Sequence, residues 1–168
     1  MAESISPTDE NLIQLEGEEA YLKHSKRIVA ESSREIYILS DELDRSIFND
    51  SELIDLLSSF VRLERRCTIK ILVKDIRPMI DRGHALLSLS RRLSSRVIIK
   101  KLLLKPKDNA IGYMISDKRA LLYKHSDNEY VGFVNYKAGP ESKKLLEEFV
   151  YLWEHHSVVD PELKQLTI

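Results

Sequence analysis

Residues 35–41 of the chain, EIYILSD, place four apolar side chains in a row, which is typical of a strand buried on both faces of a parallel sheet. Residues 18–33 have one modestly apolar face and predict a helix before this strand. A second helix is predicted after it, over residues 49–63. Asn49, with Glu52 three residues later, has the form of a helix cap at its start.

Two more apolar runs repeat this arrangement further along the chain. They are TIKILV at residues 68–73 and VIIKKLLL at residues 97–104, and a helix is predicted between them at residues 85–93. The order strand, helix, strand, helix, strand indicates a parallel sheet covered by helices. We therefore predict an α/β fold with a mixed, mostly parallel central sheet flanked by helices.

The rhythm of the sequence changes after Pro106. The short segments GYMIS, ALLYKH and YVGFVNY are separated by turn-like residues and predict antiparallel or mixed additions to the sheet. Gly139-Pro140 then opens a final amphipathic helix. At the other end, residues 1–17 are acidic and contain no Lys or Arg, so we predict a flexible N-terminal arm followed by a single domain over residues 18–168.

Length and composition favour a globular domain. The chain has 168 residues, of which 43% are hydrophobic and 32% charged, so it is long enough to bury a core. No apolar run approaches the roughly 20 residues of a membrane span, which argues against membrane insertion. Cys67 is the only cysteine and excludes an internal disulfide. The residues after Met1 have neither a basic start nor an apolar run, so we expect a cytoplasmic location.

The net charge of −1 conceals a marked asymmetry along the chain. Residues 1–60 carry a balance of −9, residues 61–107 one of +11, and residues 108–168 one of −3. Such blocks can create an anion-binding face, or they can be neutralised within the fold or across a subunit contact. The candidate anion surface in the basic segment consists of Arg91, Arg92, Arg96, Lys100 and Lys101.

Familiar catalytic signatures are missing from the sequence. There is no glycine-rich dinucleotide loop, P-loop, nucleophile elbow or zinc-finger spacing, and the chain offers no convincing set of metal ligands. The adjacent His155 and His156 point about 100° apart on a helix. Ser40, Asp41 and Glu42 follow a strand at the kind of edge where α/β sheets bind ligands, but they suit a helix or turn cap equally.

The order of segments, and the run AIGYMISD at residues 110–117 in particular, resembles one half of the phospholipase D superfamily. The signature of that superfamily is H-x-K-x-x-x-x-D followed by a G-S-x-N-like turn. The resemblance covers roughly residues 34–156. The motif aspartate corresponds to Asp117, and Gly132 and Asn135 correspond to the second motif. Small bacterial domains of unknown function have a similar pattern.

The resemblance implies a degenerate site. The histidine of the family attacks phosphorus and the lysine holds phosphate oxygens, but these positions are Ala110 and Gly112 here. Ala110 cannot form a phosphohistidine, and Gly112 supplies no cation. We therefore expect that the protein is not an enzyme and needs no cofactor or metal. Asp117, Gly132 and Asn135 would be remnants of the motif, and Asp117 also suits a turn.

Three hypotheses on function follow. The first is a noncatalytic binding or regulatory module that recognises phosphate-containing ligands or nucleic acid through residues 61–107. The second is a homodimeric interaction or structural module, because the superfamily builds its complete unit from two such halves. The third is a phosphodiesterase with an atypical site, whose candidate residues are Asp41, Asp117, His125 and Asn135.

Overall fold

A computed structural model describes residues 11–104, 112–126 and 129–164, which form one sheet covered by helices on both faces. The strands and helices predicted from the apolar runs are present, together with several short elements that no pattern indicated. In chain order the elements are β1 (Leu12–Glu16), α1 (Glu18–Glu31), β2 (Glu35–Ser40), α2 (Arg45–Phe48), α3 (Ser51–Leu63), β3 (Thr68–Val73), α4 (Arg77–Arg82), α5 (Ala85–Arg92), β4 (Val97–Leu102), β5 (Gly112–Ser116), β6 (Ala120–Lys124), β7 (Val131–Asn135), α6 (Gly139–His155), β8 (Ser157–Val158) and α7 (Pro161–Lys164).

The sheet is mixed, but the prediction that it is mostly parallel is wrong. Its strand order is β1-β7-β6-β5-β2-β3-β4-β8, and only the β2–β3 and β3–β4 pairs are parallel. These are the strands joined by helical crossovers. The other neighbours pair antiparallel, because β5, β6 and β7 follow one another through short connections and β1 and β8 add at the two outer edges.

The last residues of the predicted N-terminal arm form a strand. Residues 12–16 form β1, which pairs antiparallel with β7 in register from Leu12–Asn135 to Glu16–Val131. Leu15 is buried, whereas its neighbours in the strand are largely accessible. Pairing with an exposed sheet edge and burial of one leucine hold this short segment in place. Residues 1–10 lie outside the described residues.

Two hydrophobic layers lie on opposite faces of the sheet. Ile36 and Ile38 of β2 belong to the larger layer, which packs beneath α1, α3 and α5. Tyr37 and Leu39, which alternate with them, belong to the smaller layer under α6. The continuous apolar run of β2 is therefore explained by a strand covered on both faces. Leu63, the last residue of α3, is 62% exposed.

Side-chain caps mark the starts of α3 and α5. Asp50, rather than the predicted Asn49, caps α3, because its carboxylate accepts from the Leu53 amide at 3.1 Å. The Asn49 side chain instead accepts from the Ala85 amide at the start of α5. Within the described ranges, no helix is long and apolar enough to cross a bilayer.

The direction of the parallel strands distinguishes the two ends of the sheet. The parallel strands β2, β3 and β4 all begin at one end, which we call the amino edge, and finish at the other, which we call the carboxyl edge. The antiparallel pairing of β5 with β2 places the last residues of β5 at the amino edge and Gly112 at the carboxyl edge. The register of β6 and β7 brings the start of β6 and the end of β7 to the amino edge as well.

Candidate functional site

The carboxyl edge holds a small cavity beside Gly112. Gly112 and Ser40 line it together with Asp41, so the predicted ligand edge after β2 does border a cavity. Its volume is only about 50 Å³, far below the roughly 300–1,000 Å³ of ordinary ligand pockets. Gly112 leaves little room for a side chain, since a Cβ there would lie 3.2 Å from the Leu39 carbonyl oxygen.

A compact polar network closes this cavity. Lys124 lies opposite Gly112 in the β5–β6 register, and its Nζ is 3.1 Å from Oδ2 of Asp44. Tyr130 donates to the same carboxylate oxygen at 2.6 Å, and its ring lies 4.2 Å from Nζ of Lys124. Burial, followed by the hydrogen bond to Asp44, raises the pKa of Tyr130. The lysine ammonium is thus held by a carboxylate, and the network stabilises the start of α2.

Asp117, at the position of the motif aspartate, lies at the amino edge in the turn between β5 and β6. Its φ of 54° and that of Lys118, 59°, are both in the left-handed region, which short turns require. The Asp117 carboxylate accepts from the backbone amides of Ser33, Arg34 and Glu35 at 2.8–3.0 Å. These hydrogen bonds connect the β5–β6 turn to the residues at the start of β2, so the aspartate has a structural role here.

The other two motif positions lie at different ends of β7. Gly132 pairs with Lys124 near the carboxyl edge, whereas Asn135 pairs with Leu121 near the amino edge. Asn135 is buried, and its side chain accepts from the Lys137 amide at 2.8 Å. Ala110, at the histidine position, lies outside the described residues. The three placed motif residues therefore do not converge on one point.

The four residues considered for an atypical phosphodiesterase are also separated. Asp41 and His125 follow the ends of β2 and β6 at the carboxyl edge. Asp117 and Asn135 lie at the amino edge, so the sheet keeps the two pairs apart. Among the residues that the structure describes, no group of three His, Cys, Asp or Glu side chains could hold a metal ion.

The basic cluster predicted from residues 91–101 is divided by the fold. Arg91 donates to the carbonyl oxygens of Glu162 and Leu163, which anchors α7. Arg96 donates to the carbonyl oxygens of Val61 and Glu64 at the end of α3. Both arginine side chains thus bind protein carbonyl groups.

The remaining members of the predicted cluster lie at different places. Lys100 is directed toward α6, where its Nζ lies 4.5 Å from the centre of the Trp153 ring and 3.3 Å from the Trp153 carbonyl oxygen. Lys101 is the next residue of β4 and pairs with Val158 close to the carboxyl edge. Arg92 is exposed at the end of α5. The five side chains do not form one continuous surface.

A different set of cations forms a row along the amino edge, which we call the basic edge. Six successive strands each have one Lys or Arg at this end, before or after the strand residues themselves. In sheet order from β7 to β4 they are Lys137, Arg119, Lys118, Arg34, Arg66 and Arg96. All except the partly buried Arg96 are exposed.

This row was not predicted from the sequence. Arg34 belongs to the acidic first block, and Lys118, Arg119 and Lys137 belong to the weakly acidic last block. Backbone pairing brings them together: the Thr68 amide donates to the Arg34 carbonyl oxygen, and the Ala138 amide donates to that of Arg119. The available signal was a cation next to the amino-edge end of each predicted strand.

Acidic groups at the basic edge are mostly occupied. The Asp117 carboxylate binds backbone amides, as described above, and Glu64 lies 3.4 Å from Arg66. Glu35 accepts from the Tyr37 hydroxyl at 2.9 Å and lies 3.8 Å from Lys118.

Three cations of the basic edge remain without such partners. Arg34, Arg119 and Lys137 form no side-chain ion pair within the described ranges. The start of α6 lies beside them, because the Ser142 hydroxyl donates to the Arg119 carbonyl oxygen at 3.3 Å, and adds the positive end of a helix dipole.

A depression of about 580 Å³ lies within the basic edge. Arg27, Arg34, Arg119 and Lys137 surround it, and Glu31 and Asp117 are the acidic residues on its wall. Its volume falls within the usual range of ligand pockets. The amino edge, rather than the carboxyl edge, therefore offers a site that is both cationic and large enough for a ligand.

The sequence matches one described family and no curated protein. The profile of the family described as "Domain of unknown function (DUF7931)" covers residues 17–166. No curated protein matches the sequence.

Solved structures are similar to the chain over most of its length. The archaeal chromatin protein TrmBL2, whose structure is described as showing a novel mode of DNA binding, has 17% identity and a TM-score of 0.63 over 93% of this chain, which spans 57% of the length of TrmBL2. NucT from Helicobacter pylori has 12% identity and a TM-score of 0.60, over 89% of this chain and 97% of NucT.

The phospholipase D family member Nuc from Salmonella typhimurium has 11% identity and a TM-score of 0.59, over 89% of this chain and 99% of Nuc. At these identities the likeness shows the fold alone. The chain has a mixed α/β fold similar to that of phospholipase D-family proteins.

Proposed function

The chain belongs to the DUF7931 family. We propose that it is a noncatalytic phospholipase D-like module that binds phosphate-bearing ligands through its basic edge. The observation that carries the proposal is the row of one cation on each of six neighbouring strands. At a strand spacing of about 4.8 Å, the row is about 24 Å long. Such a row suits a polymer with regularly repeated phosphates better than a single small anion.

Charge and accessibility support this use of the amino edge. Arg34, Arg119 and Lys137 are exposed, and within the described ranges none of them forms a side-chain ion pair. Lysine and arginine at such positions gain affinity for polyanions by releasing condensed counterions. The basic edge takes Arg66 and Arg96 from the predicted segment 61–107 and draws its other cations from outside that segment. The DNA-binding description of TrmBL2 supports nucleic acid as the phosphate-bearing polymer.

The noncatalytic part of the proposal rests on the residues at the motif positions. In the resemblance to the phospholipase D superfamily, Gly112 is at the position of the phosphate-holding lysine, and Ala110 is at the position of the nucleophilic histidine. Lys124 lies opposite Gly112, but Asp44 holds its ammonium. A cation held in this way does not provide the free charge that developing negative charge on a phosphoryl group requires.

Fluorescence anisotropy with labelled DNA and RNA oligonucleotides, measured from low to physiological salt, tests the binding function. We expect saturable binding. The logarithm of the association constant should fall with the logarithm of the salt concentration at a slope of about −3 to −5, since each phosphate contact contributes about −0.7 to −0.9 to this slope. The double variant Arg34→Glu/Arg119→Glu should lose most of this affinity and reduce the slope. Unchanged affinity in that variant would overturn the assignment to the basic edge.

A matched double variant controls for the change in total charge. Arg82 is exposed at the end of α4, and Lys101 pairs with Val158 close to the carboxyl edge, so both lie away from the six strand ends of the basic edge. Arg82→Glu/Lys101→Glu changes the net charge by the same amount and should retain most of the affinity. Hydrolysis of a generic phosphodiester such as bis(p-nitrophenyl) phosphate tests the absence of catalysis, and turnover that disappears in Asp117→Ala would contradict it.

Self-association is a second candidate role, which one further observation favours. Leu103 and Leu104 after β4, and Val158 of β8, are exposed apolar residues at the β8 side of the sheet. Leu103 is tied to this region because its amide donates to the His156 carbonyl oxygen at 2.8 Å. A second copy of the chain could cover these side chains by a two-fold symmetric contact. A concentration-independent monomer mass by light scattering would exclude this role.

A further inference from the structure

The depression within the basic edge contains an aromatic ring, a feature absent from the basic segments of the sequence. Tyr136 follows β7, and its ring lines the depression together with the side chains of Ile28 and Ala120. The cations Arg34, Arg119 and Lys137 lie around these less polar groups. A flat, partly apolar surface surrounded by cations matches a nucleotide, which combines a planar base with a phosphate.

One contact to its hydroxyl group and one to its ring face position the Tyr136 side chain. Its hydroxyl is 2.7 Å from Nδ1 of His24, and the guanidinium carbon of Arg27 lies 4.0 Å from the ring centre. Nε of Arg27 donates to Glu31 at 2.9 Å, which orients the guanidinium over the ring. Burial raises the pKa of Tyr136 to about 12, so the ring stays neutral at physiological pH.

This arrangement leaves a planar surface open to solvent. The Arg27 side chain is 52% exposed although its guanidinium lies over the Tyr136 ring, so a ligand can reach the side chain from solvent. Unpaired bases stack on arginine guanidinium planes as well as on aromatic rings in single-stranded nucleic acid complexes. Paired bases of a duplex are stacked inside the helix and do not present their faces to a depression of this kind.

We infer that the depression takes one unpaired nucleotide of a single-stranded nucleic acid. The base stacks on the Arg27 guanidinium, which Tyr136 supports from below, and the neighbouring phosphates contact Arg34, Arg119 and Lys137. This inference rests on the proposed binding function of the basic edge, and it adds a preference for single strands and a contact to the base itself. The contact is sequence-tolerant, because every base has a π face.

Three labelled ligands of equal length test the inference by anisotropy at one salt concentration: a 12-nucleotide oligothymidine, an abasic 12-mer with the same phosphates, and a 12-base-pair duplex. We expect the oligothymidine to bind about fivefold or more tightly than the abasic strand, given the usual contribution of base stacking. We also expect it to bind more tightly than the duplex. Equal affinity for oligothymidine and abasic strand, or tighter binding of the duplex, would overturn the inference and leave the proposed function standing.

A charge-preserving variant separates stacking from electrostatic attraction. Arg27→Lys keeps the positive charge on an exposed helix position but removes the planar guanidinium. It should reduce the preference for oligothymidine over the abasic strand while leaving affinity for the abasic strand nearly unchanged. A full preference in Arg27→Lys would overturn the stacking role of Arg27. Failure of all three ligands to bind the unaltered protein at low salt would overturn both the inference and the proposed function.

Discussion

The hydroxyl of Tyr21 lies over Gly132. It donates to the Tyr123 carbonyl oxygen at 2.9 Å, and a Cβ at Gly132 would overlap both the hydroxyl and that carbonyl group. Tyr21 is buried, and burial raises the pKa of its phenol. A glycine at this position of β7 therefore allows α1 to bind β6 directly. Gly132 therefore has a packing role in this protein.

Gly132→Ala should lower the free energy of unfolding by about 2–4 kcal/mol, because the methyl group either displaces Tyr21 or breaks its buried hydrogen bond. Urea unfolding followed by the fluorescence of the single tryptophan, Trp153, measures this effect. Gly139→Ala is the matched control, since a Cβ at Gly139 meets no atom within 4 Å. An equal effect of both substitutions would contradict the packing role of Gly132.

Asp117→Ala should destabilise the protein by about 2–4 kcal/mol, because three backbone amides lose a charged acceptor. Hydrogen exchange at the amides of Arg34 and Glu35 should become faster in this variant. Lys118→Ala, at the other left-handed turn position, should change stability by less than about 1 kcal/mol. Normal protection of both amides in Asp117→Ala would show that the carboxylate is not their main acceptor.

Arg96→Met should lower the free energy of unfolding by about 1.5–3 kcal/mol, because the carbonyl groups of Val61 and Glu64 lose a charged donor. Arg92→Met, at an exposed position nearby in sequence, should stay within about 0.5 kcal/mol of the unaltered protein. Thermal unfolding of the two variants in the same buffer makes the comparison. If Arg92→Met lowers the free energy of unfolding more than Arg96→Met does, Arg96 does not stabilise the end of α3.

Acidification should destabilise the protein through His84. This buried side chain accepts from the Leu86 amide through Nδ1 at 3.1 Å, and its Nε2 lies 3.0 Å from the Leu43 carbonyl oxygen. Both contacts are satisfied by the neutral ring with its proton on Nε2. Burial lowers the pKa of His84 below the ordinary value of 6.5. The unfolded chain therefore binds a proton that the folded protein does not accept at the same pH.

The free energy of unfolding contributed by His84 is fully present above about pH 6.5 and falls as the pH drops toward the lowered pKa of the folded state. The expected slope is at most about 1.4 kcal/mol per pH unit. Urea unfolding between pH 7.5 and 5.5 measures it. His84→Asn keeps a capping side chain but should show a shallower dependence. Burial also lowers the pKa of His24, which remains in both proteins, so the difference in slope isolates His84.

The core of the fold was predictable because its strands have continuous apolar sequences. The runs at residues 35–40, 68–73 and 97–102 form the strands of the parallel part, and the periodic segments between them form α3 and α5. The short helices α2 and α4 were not predicted, since four to six residues give too little periodicity. The prediction of a mostly parallel sheet failed because three hairpin-type strands and two edge strands outnumber the crossover strands.

The candidate site was less predictable than the fold, for a physical reason. A charge sum over consecutive residues detected the block 61–107, but Arg91 and Lys100 of that block bind carbonyl groups away from the basic edge. The basic edge instead combines single cations from six strand ends, which are adjacent only after the strands have paired. Tyr136 likewise joins Arg34 and Arg119 in space, although long stretches of chain separate them.

The pairing of β1 with β7 sets an order of events during synthesis. Leu12 pairs with Asn135, so more than a hundred residues must leave the ribosome before β1 has a partner. At ordinary translation rates this delay is on the order of ten seconds. The parallel strands β2, β3 and β4 are complete well before that time and can pair with one another. Among the described strands, β1 therefore waits longest for a partner, and the growing chain must keep an unpaired β-segment from aggregating during that interval.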